Sequence, residues 1–245
     1  GPKTDVVCIV GGGPSLESTL PELVDLIMGG AKIVALNHAY TWCFDQNLRP
    51  AAHVILDSRE CNARFIGPPV PGCMYLYASQ CHPAVWEAIE GRDRVFIWHA
   101  LNFESPEAPI LDAYYGGRNH WVGISGGTTA ITRALMLLRL IGFFRFHLFG
   151  IDSCWIDGKH HAWEQPENER DRSYAVTAHP DGHPELARTF ACAPWHVKQL
   201  EDVLATIKIN GNQFVLNVHG DGLLAYALKT SSHIKVDDAV GMQTS

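Results

Sequence analysis

The sequence predicts an α/β fold of the Rossmann type, in which a mostly parallel sheet carries helices on both faces. Short apolar runs alternate along the chain with segments whose apolar side chains recur at helical spacing. The runs are almost continuously apolar, which is typical of strands that are buried on both faces. A glycine-rich turn follows the first run. We therefore expect residues 1–245 to form a single Rossmann-like domain.

The first half of the chain supplies five predicted strands. A β-branched run opens the chain, and the apolar residues from Leu16 to Met28 then have helical spacing. A helix-like piece ending near Trp42 follows the second strand, and a further helix opens near Pro83. The predicted strands are residues 6–10, 32–36, 53–56, 74–77 and 95–98.

The second half contains a loop-rich stretch, 100–122, and a mostly polar segment, 157–190. Pro180, Gly182 and Pro184 are expected to break any regular element in the polar segment. Because packed elements flank it, we predict that it is a functional lid loop rather than a linker. The other predicted elements are a helix from Gly126 to Leu140, a strand over 145–149, a helix over 194–207, a strand over 214–217 and a helix over 220–229.

Composition excludes several classes of protein. The formal net charge is -7 and no block of Lys and Arg occurs, so nucleic-acid binding is not expected. No apolar run is long enough to span a membrane, and no signal peptide is visible, so we expect a cytoplasmic protein. The seven cysteines lack paired spacing, which favours free thiols over disulfides or a zinc site. The oligomeric state stays open.

Polar residues that follow predicted strands are candidate ligand contacts, because ligands of parallel α/β sheets bind at the carboxyl ends of the strands. The candidates for nucleotide binding outside the glycine-rich turns are Asn37, Ser58, Ser79, His219 and Gly220.

The most specific local signal is the turn formed by Gly11, Gly12, Gly13, Pro14 and Ser15. Glycines allow the main chain to approach a phosphate, and the amides at the start of the following helix point at the anion. The turn is neither a Walker A motif nor a clean GxGxxG motif. It predicts a nucleotide phosphate site, and the alternative is a tight strand-to-helix turn with an N-cap.

A second turn has the same chemistry. Gly126, Gly127 and Thr128 precede the apolar helix, and glycines with hydroxyls suit an anion or a ribose. The alternative is a flexible helix start capped by a threonine.

Two aspartates are candidate ligands for Mg²⁺. Asp57 and Asp152 each follow a predicted strand, and carboxylates at neighbouring strand ends can share a cation with a diphosphate. Each aspartate could equally cap a helix or bind a ribose hydroxyl.

The lid carries the candidate catalytic group. His161 can act as general base toward a hydroxyl acceptor, with Glu164 and the neighbouring Asp152 as further catalytic candidates. Trp163 can stack on a planar ring. The alternative is a solvated loop in which these side chains have no role.

Two enzyme classes are disfavoured by missing motifs. No GxSxG elbow and no Cys–His pair with a suggestive spacing occur, so hydrolysis through a covalent intermediate has little support. Asn37 stands where a dinucleotide enzyme carries an acidic residue for the ribose, which argues against an NAD-dependent dehydrogenase.

Four motifs in order resemble the MptE-like family, which is named for an archaeal 6-hydroxymethylpterin diphosphokinase. They are VGGGPSL, ALNHAY followed by RPAAHVILD, GGTTAITRALMLLRLIGFFRFHLFGIDSCW, and NVHGDGLLAYAL, and they span roughly residues 5–228. The chain is more distantly similar to bacterial sialyltransferases that use CMP-sialic acid, from which it departs at Gly12, where they carry asparagine. Members of the MptE-like family also occur in phage and prophage settings.

The resemblance implies a Rossmann-like nucleotide site lined by the first turn, Asn37, residues 126–128 and Asp152. Its first implied function is Mg²⁺-dependent diphosphoryl transfer from ATP or another nucleoside triphosphate to a small, pterin-like hydroxylated acceptor. The runner-up is a glycosyltransferase that uses a nucleotide-sugar. A third alternative is a non-catalytic nucleotide-binding module of phage origin.

Overall fold

The computed structural model describes residue 3 and residues 5–101, 104–168, 171–210, 214–230 and 233–236. Its main feature is a seven-stranded sheet with strand order β5-β4-β3-β2-β1-β6-β9, and every neighbouring pair is parallel. The strands are β1 (Val6–Val10), β2 (Lys32–Leu36), β3 (Ala52–Ile55), β4 (Met74–Ala78), β5 (Val95–Trp98), β6 (Arg145–Phe149), β7 (Tyr174–His179), β8 (Arg188–Cys192), β9 (Val215–Val218) and β10 (His233–Val236). The predicted Rossmann-like α/β fold is confirmed.

Helices connect the strands of the main sheet. They are α1 (Leu16–Met28), α2 (Ala39–Asp45), α3 (Pro83–Ala88), α4 (Ala108–Tyr115), α5 (Ala130–Ile141), α6 (Pro194–Asn210) and α7 (Leu223–Thr230). Short 3-10 helices lie at Glu60–Phe65, Arg118–His120, Pro166–Asn168 and Pro184–Leu186. No helix in the described part of the chain is long and apolar enough to cross a membrane.

The central strands are covered on both faces. Residues Val7 to Val10 of β1 are all buried, and because successive side chains of a strand point to opposite faces, both faces are packed. Phe146 and Leu148 of β6 and Leu135 of α5 are also fully buried and belong to the same core. The sequence signal of continuous apolar strands therefore reports this two-sided burial.

The strand order reverses between β1 and β6. From β1 the chain adds β2 to β5 on one side, and it then returns to place β6 against the other side of β1. The register pairs Val10 with Ala35 of β2 and with Phe149 of β6, so the three strands end at the same edge. In open α/β sheets such a reversal leaves a crevice at the carboxyl ends of the strands.

Two segments contain more regular structure than the sequence predicted. The stretch 100–122 contains α4, which ends at Gly116 in the left-handed conformation. The lid segment contains β7 and the start of β8, which form a small antiparallel sheet with β10. The prediction that 157–190 contains no regular element is therefore wrong for its second half. The prolines do not prevent the strands, because β7 ends at His179, just before Pro180, and β8 begins only at Arg188.

All seven cysteines are free, as their spacing predicted. Burial raises the pKa of the Cys8 and Cys192 thiols to about 12, so these thiols stay protonated at neutral pH.

Candidate functional site

A cleft of about 540 Å³ opens at the carboxyl edge of the main sheet. Its walls come from the turns after β1, β2, β3 and β6, from the start of α5 and from the first residues of α6. The lid segment closes the remaining side with His160, His161, Trp163 and Gln165. The cleft thus lies at the reversal of strand order, where the topology leads one to expect a ligand site.

The first glycine-rich turn is bonded tightly to the end of β6. The Gly11 and Gly13 amides donate to carbonyl oxygens at that end, over 2.8 and 2.7 Å, and the Ser15 amide donates to Asp152 Oδ2 over 3.0 Å. A Cβ atom at Gly13 would lie 2.3 Å from the same carboxylate oxygen, so glycine is needed there. Among the turn's amides in the described chain, that of Gly12 has no acceptor. The turn packs a carboxylate against the start of α1 and leaves one amide for a ligand.

Asp152 is the most buried charged side chain of the cleft wall, with 3% of its surface exposed. Burial raises the pKa of this carboxyl group, the hydrogen bond from the Ser15 amide opposes the rise, and the nearby Asp221 adds to it. Its second oxygen, Oδ1, is buried without a hydrogen-bond partner. A donor group or a cation of a ligand would satisfy that oxygen.

Asp57 also lines the cleft, but its oxygens already have partners. Oδ1 accepts the Arg59 amide over 2.9 Å, and Oδ2 accepts Arg59 Nε over 2.7 Å. Ser58 lies beside it in the wall. Within the described residues no three His, Cys, Asp or Glu side chains converge to hold a metal ion. A cation at this edge would therefore need ligand oxygens in addition to the two carboxylates.

The second glycine-rich turn is closed by a carboxylate from α6. Asp202 Oδ2 accepts the Thr128 amide over 2.7 Å and its hydroxyl over 3.1 Å, and Lys198 Nζ lies 2.8 Å from Oδ1. Burial acts to raise the pKa of Asp202, but the hydrogen bonds from Lys198 and Thr128 outweigh it and lower the pKa. A Cβ atom at Gly127 would overlap this carboxylate at 2.0 Å. Both carboxylate oxygens of Asp202 therefore have partners, whereas Asp152 has one oxygen without a partner.

Residues at the start of α5 reach the cleft. Thr128, Thr129, Ala130 and Ile131 line it, whereas Gly126 and Gly127 do not. A Cβ atom at Gly126 would lie 3.3 Å from Met136 Cγ of α5, and one at Gly127 would overlap Asp202 of α6. The amides of Ala130 and Ile131 have no acceptor in the described chain. The positive end of α5 is therefore available to an anion.

The lid segment is hydrogen-bonded to the first turn. The Ala162 amide donates to the Gly12 carbonyl over 2.9 Å, which holds His161 and Trp163 against the cleft. Burial, together with the neighbouring His160 and His38, lowers the pKa of His161 to about 4. The His161 imidazole is therefore neutral at neutral pH. Glu164 is exposed and does not line the cleft.

Other predicted residues lie away from the cleft. Ser79 is exposed, and its amide bonds across to the end of β5. His219 and Gly220 line a second cavity of about 550 Å³ beside the end of β9, which shares no lining residue with the cleft. Pro14 and Ser15 belong to the first glycine-rich turn but do not line the cleft. Ser15 is buried and makes no side-chain cap bond to α1.

Several cleft residues have no signal in the sequence. Asn62 and Phe65 come from the 3-10 helix after Asp57, and Trp195 and Gln199 come from α6. Helical periodicity explains such residues as ordinary packing positions, so only the tertiary structure places them in the wall. Trp195 is the second residue of α6, and the start of that helix faces the cleft.

The cleft wall contains an unusual number of unsatisfied polar atoms. Buried polar groups in folded proteins almost always have a partner, and exceptions call for an explanation. Within the part of the chain that the structure describes, five buried side-chain atoms of cleft residues have none: Asn37 Oδ1, His38 Nδ1, Asn62 Oδ1, Asp152 Oδ1 and Trp163 Nε1. A polar ligand in the cleft would supply the missing partners. Aromatic rings lie beside them, with His38 stacked on Phe65 at 4.8 Å between ring centres.

Comparison with known proteins gives one family and a fold. A family model described as 6-hydroxymethylpterin diphosphokinase MptE-like matches residues 2–158, which is more than half of the chain. No curated protein matches the chain.

Two solved structures match the chain, and the first of them shares its fold. The MAf glycosyltransferase from Magnetospirillum magneticum AMB-1 superimposes with a TM-score of 0.61 and 14% identity, over 91% of this chain and 33% of that one. A mammalian sialyltransferase in complex with Gal-beta-1-3GalNAc-ortho-nitrophenol gives a TM-score of 0.43 and 11% identity, over 88% of this chain and 69% of that one. The chain thus spans about one third of the length of the MAf glycosyltransferase.

Proposed function

This chain belongs to the MptE-like family, and we propose that its cleft transfers the diphosphate of a nucleoside triphosphate to a small, pterin-like hydroxylated acceptor. The family description names a diphosphokinase, and the chain is accordingly a transferase. The observation that carries the finer proposal is the set of five buried, unpartnered polar atoms in the cleft wall. Such atoms are satisfied when a polar ligand binds.

The wall divides into two chemically different parts. Asn37 Oδ1 and Asn62 Oδ1 are acceptors, so they suit hydroxyl or amino groups of a nucleoside. Phosphate oxygens only accept hydrogen bonds, and the free amides at the start of α5 suit them. We therefore place the nucleoside toward β2 and the 3-10 helix at Glu60–Phe65, and the phosphates toward α5 and Thr129.

The donor set fits a divalent cation such as Mg²⁺. Asp152 Oδ1 is a free carboxylate oxygen in the wall, and Asp57 is the second carboxylate there. Mg²⁺ prefers oxygen ligands and commonly takes only one or two carboxylates together with substrate phosphates. When bound, the cation would neutralise charge on the triphosphate.

The transfer needs no covalent enzyme intermediate. The acceptor oxygen attacks the β-phosphorus, the bond from that phosphorus to the oxygen bridging the α-phosphate breaks, and a nucleoside monophosphate leaves. The hydroxyl proton passes to a base, and the neutral imidazole of His161 in the wall can accept it. The protein contributes mainly positioning and charge neutralisation.

A ligand screen followed by product analysis tests this function. Thermal shifts are measured with ATP, GTP, CMP, UDP and nucleotide-sugars, each with and without Mg²⁺. Saturation at about 100 times Kd stabilises the fold by roughly 2.7 kcal/mol. We expect a response to a triphosphate with Mg²⁺ and, with 6-hydroxymethylpterin as acceptor, release of the nucleoside monophosphate rather than the diphosphate.

Other outcomes identify the rivals. A response confined to one nucleotide-sugar would replace this proposal with glycosyl transfer. Nucleotide binding without turnover, retained in His161→Ala and Asp152→Asn, would indicate a non-catalytic module. No response in the panel would contradict nucleotide binding in the cleft.

A further inference from the structure

Asn37 has a strained backbone at the edge of the cleft. It follows β2, lines the cleft, and has a φ angle of 49°, in the left-handed region that non-glycine residues seldom adopt. Such a conformation persists only where surrounding contacts impose it, and it is common at ligand sites. Its side-chain oxygen is one of the buried atoms without a partner. The backbone of Asn37 therefore decides where that oxygen points.

A buried histidine holds this backbone. The Asn37 carbonyl accepts from His53 Nε2 over 2.9 Å, and the Asn37 amide donates to the carbonyl of Val54 over 3.0 Å. Since a carbonyl can only accept, Nε2 must carry the proton. The neutral ring then accepts at Nδ1, where Tyr77 Oη donates over 2.8 Å. With this order of donors, both ring nitrogens of His53 and the Asn37 carbonyl have hydrogen-bond partners.

The histidine is locked in place by its surroundings. His53 and Tyr77 are both 0% exposed, and Tyr40 stacks on the imidazole with ring centres 4.3 Å apart. Burial lowers the pKa of His53 to about 3, so the ring stays neutral and keeps one tautomer at neutral pH. Neither His53 nor Tyr77 lines the cleft.

We propose that His53, backed by Tyr77, is a positioning residue for the nucleotide: it fixes Asn37 in the left-handed conformation that presents its amide oxygen to the cleft. Any effect of His53 on the ligand passes through Asn37, because the histidine has no surface in the cleft. The choice of nucleotide as ligand rests on the function proposed above, whereas the hold on Asn37 does not depend on it.

The hold on Asn37 is tested without ligand. The backbone amide shift and the three-bond HN–Hα coupling of Asn37 are measured by NMR in the wild type, His53→Gln and His53→Phe. Glutamine keeps an N–H donor and is expected to retain the wild-type values, whereas phenylalanine loses it and is expected to change them. Tyr77→Phe removes only the outer hydrogen bond and is expected to give a smaller change. Unchanged Asn37 values in His53→Phe would overturn the inference.

The effect on the site is tested by calorimetric titration with ATP and Mg²⁺. We expect His53→Phe to bind about tenfold more weakly, the effect of one lost hydrogen bond, and His53→Gln to stay within about threefold of wild type. In an Asn37→Ala background, His53→Phe should weaken binding no further, because the two residues act as one unit. Independent, additive losses would overturn the inference.

The two kinds of failure are distinguishable. If the wild type does not bind ATP, the proposed function fails for ATP, and the NMR values of Asn37 still decide the role of His53. If His53→Phe does not fold, Tyr77→Phe and His53→Gln decide the role of His53 in the same two measurements. Unchanged NMR values of Asn37 in Tyr77→Phe would then count against the role of His53 and Tyr77 in holding Asn37.

Discussion

Two cavities of nearly equal volume, about 540 and 550 Å³, lie near the carboxyl ends of the strands, and their walls differ in one respect. In the cleft, five buried polar atoms have no partner. In the second cavity, no described lining side chain has a buried polar atom in that state. The difference indicates that unsatisfied polar groups, rather than volume, distinguish a binding site from a packing gap.

In the second cavity, a row of hydrogen-bonded side chains runs from Glu22 through His219 and His147 to Asn217. His219 contacts Glu22 through Nδ1 and His147 through Nε2, and the His147 contact is 2.8 Å long. Asn217 Nδ2 lies 3.3 Å from the remaining nitrogen of His147. With both imidazoles neutral, each donor in this row meets an acceptor. A ligand would have to replace bonds that the protein already makes.

The largest expected effect is a loss of stability from a substitution in the first glycine-rich turn. Gly13→Ala would place a Cβ atom 2.3 Å from Asp152 Oδ2 and 2.8 Å from the Gly150 carbonyl. Since backbone cannot give way there, we expect the free energy of unfolding to fall by about 3 kcal/mol or more. Urea unfolding measures it. Gly12→Ala is the matched control, because its Cβ would meet the side chains of His161 and Trp163, which can shift. Equal losses in both variants would contradict this account.

The next effect compares one carboxylate in each cavity. Asp152→Asn should lower turnover by about 100-fold, because it removes the carboxylate oxygen that would hold the cation on the triphosphate. Glu22→Gln, in the second cavity, should leave turnover unchanged. Similar turnover in the two variants would remove the distinction between the cavities.

The same variant should raise the melting temperature. Burial raises the folded-state pKa of Asp152 above its unfolded value, so the ionised group destabilises the fold once the pH exceeds the folded pKa. Asparagine removes that cost at neutral pH. Thermal unfolding at pH 7.5 measures it, and a lower melting temperature would show that the charge stabilises the fold instead.

An intermediate effect concerns pH. Burial lowers the pKa of His53 and His196 to about 3 and that of His161 to about 4. The unfolded chain takes up these protons near pH 6.5 and the folded chain only near pH 3 to 4, so stability should fall steeply as pH drops through that window, since each unit of pKa difference corresponds to about 1.4 kcal/mol per group. Urea unfolding at pH 7.5, 6, 5 and 4 measures the slope, and His53→Gln or His196→Gln should reduce it. A flat profile would show that the folded and unfolded chains take up protons at the same pH, and would contradict the lowered pKa values.

The smallest effect is expected in the second cavity. His219→Gln breaks the hydrogen-bonded row of the second cavity but should change ATP affinity by less than about twofold, because His219 does not line the cleft. Isothermal titration with ATP and Mg²⁺ measures it. A loss of tenfold or more would place His219 and its cavity in the nucleotide site.

The sequence locates the parts of the site that follow strands. Asn37, Asp57 and Asp152 could be identified because parallel strands end at a common edge, and the ends of apolar runs are visible in a sequence. Asn62 and Gln199 could not, because they reach the cleft from helical segments whose orientation depends on tertiary packing. The partners of the turns were also hidden, since Asp202 lies 74 residues from Thr128.

The lid shows a second limit of sequence patterns. The proline and glycine residues at 180, 182 and 184 drew attention to a loop, and they do lie between β7 and β8. The alternation of buried side chains in Tyr174–His179 is the signal of β7. It is short, and its pairing partners β8 and β10 are recognisable only once the small sheet is formed.

The hydrogen bond between Ser15 at the start of α1 and the Asp152 carboxylate has a consequence for the order of folding. The Ser15 amide donates to Asp152, 137 residues further along the chain, and the Thr128 amide donates to Asp202, 74 residues further along. Contacts between positions so distant in sequence require closure of long loops and form late. During synthesis the first helix emerges well before the residue that completes its start. We therefore expect strands β1 to β5, each of which pairs with its neighbour in the chain, to assemble before β6 joins β1. The ligand-binding edge is then among the last parts of the molecule to reach its native geometry.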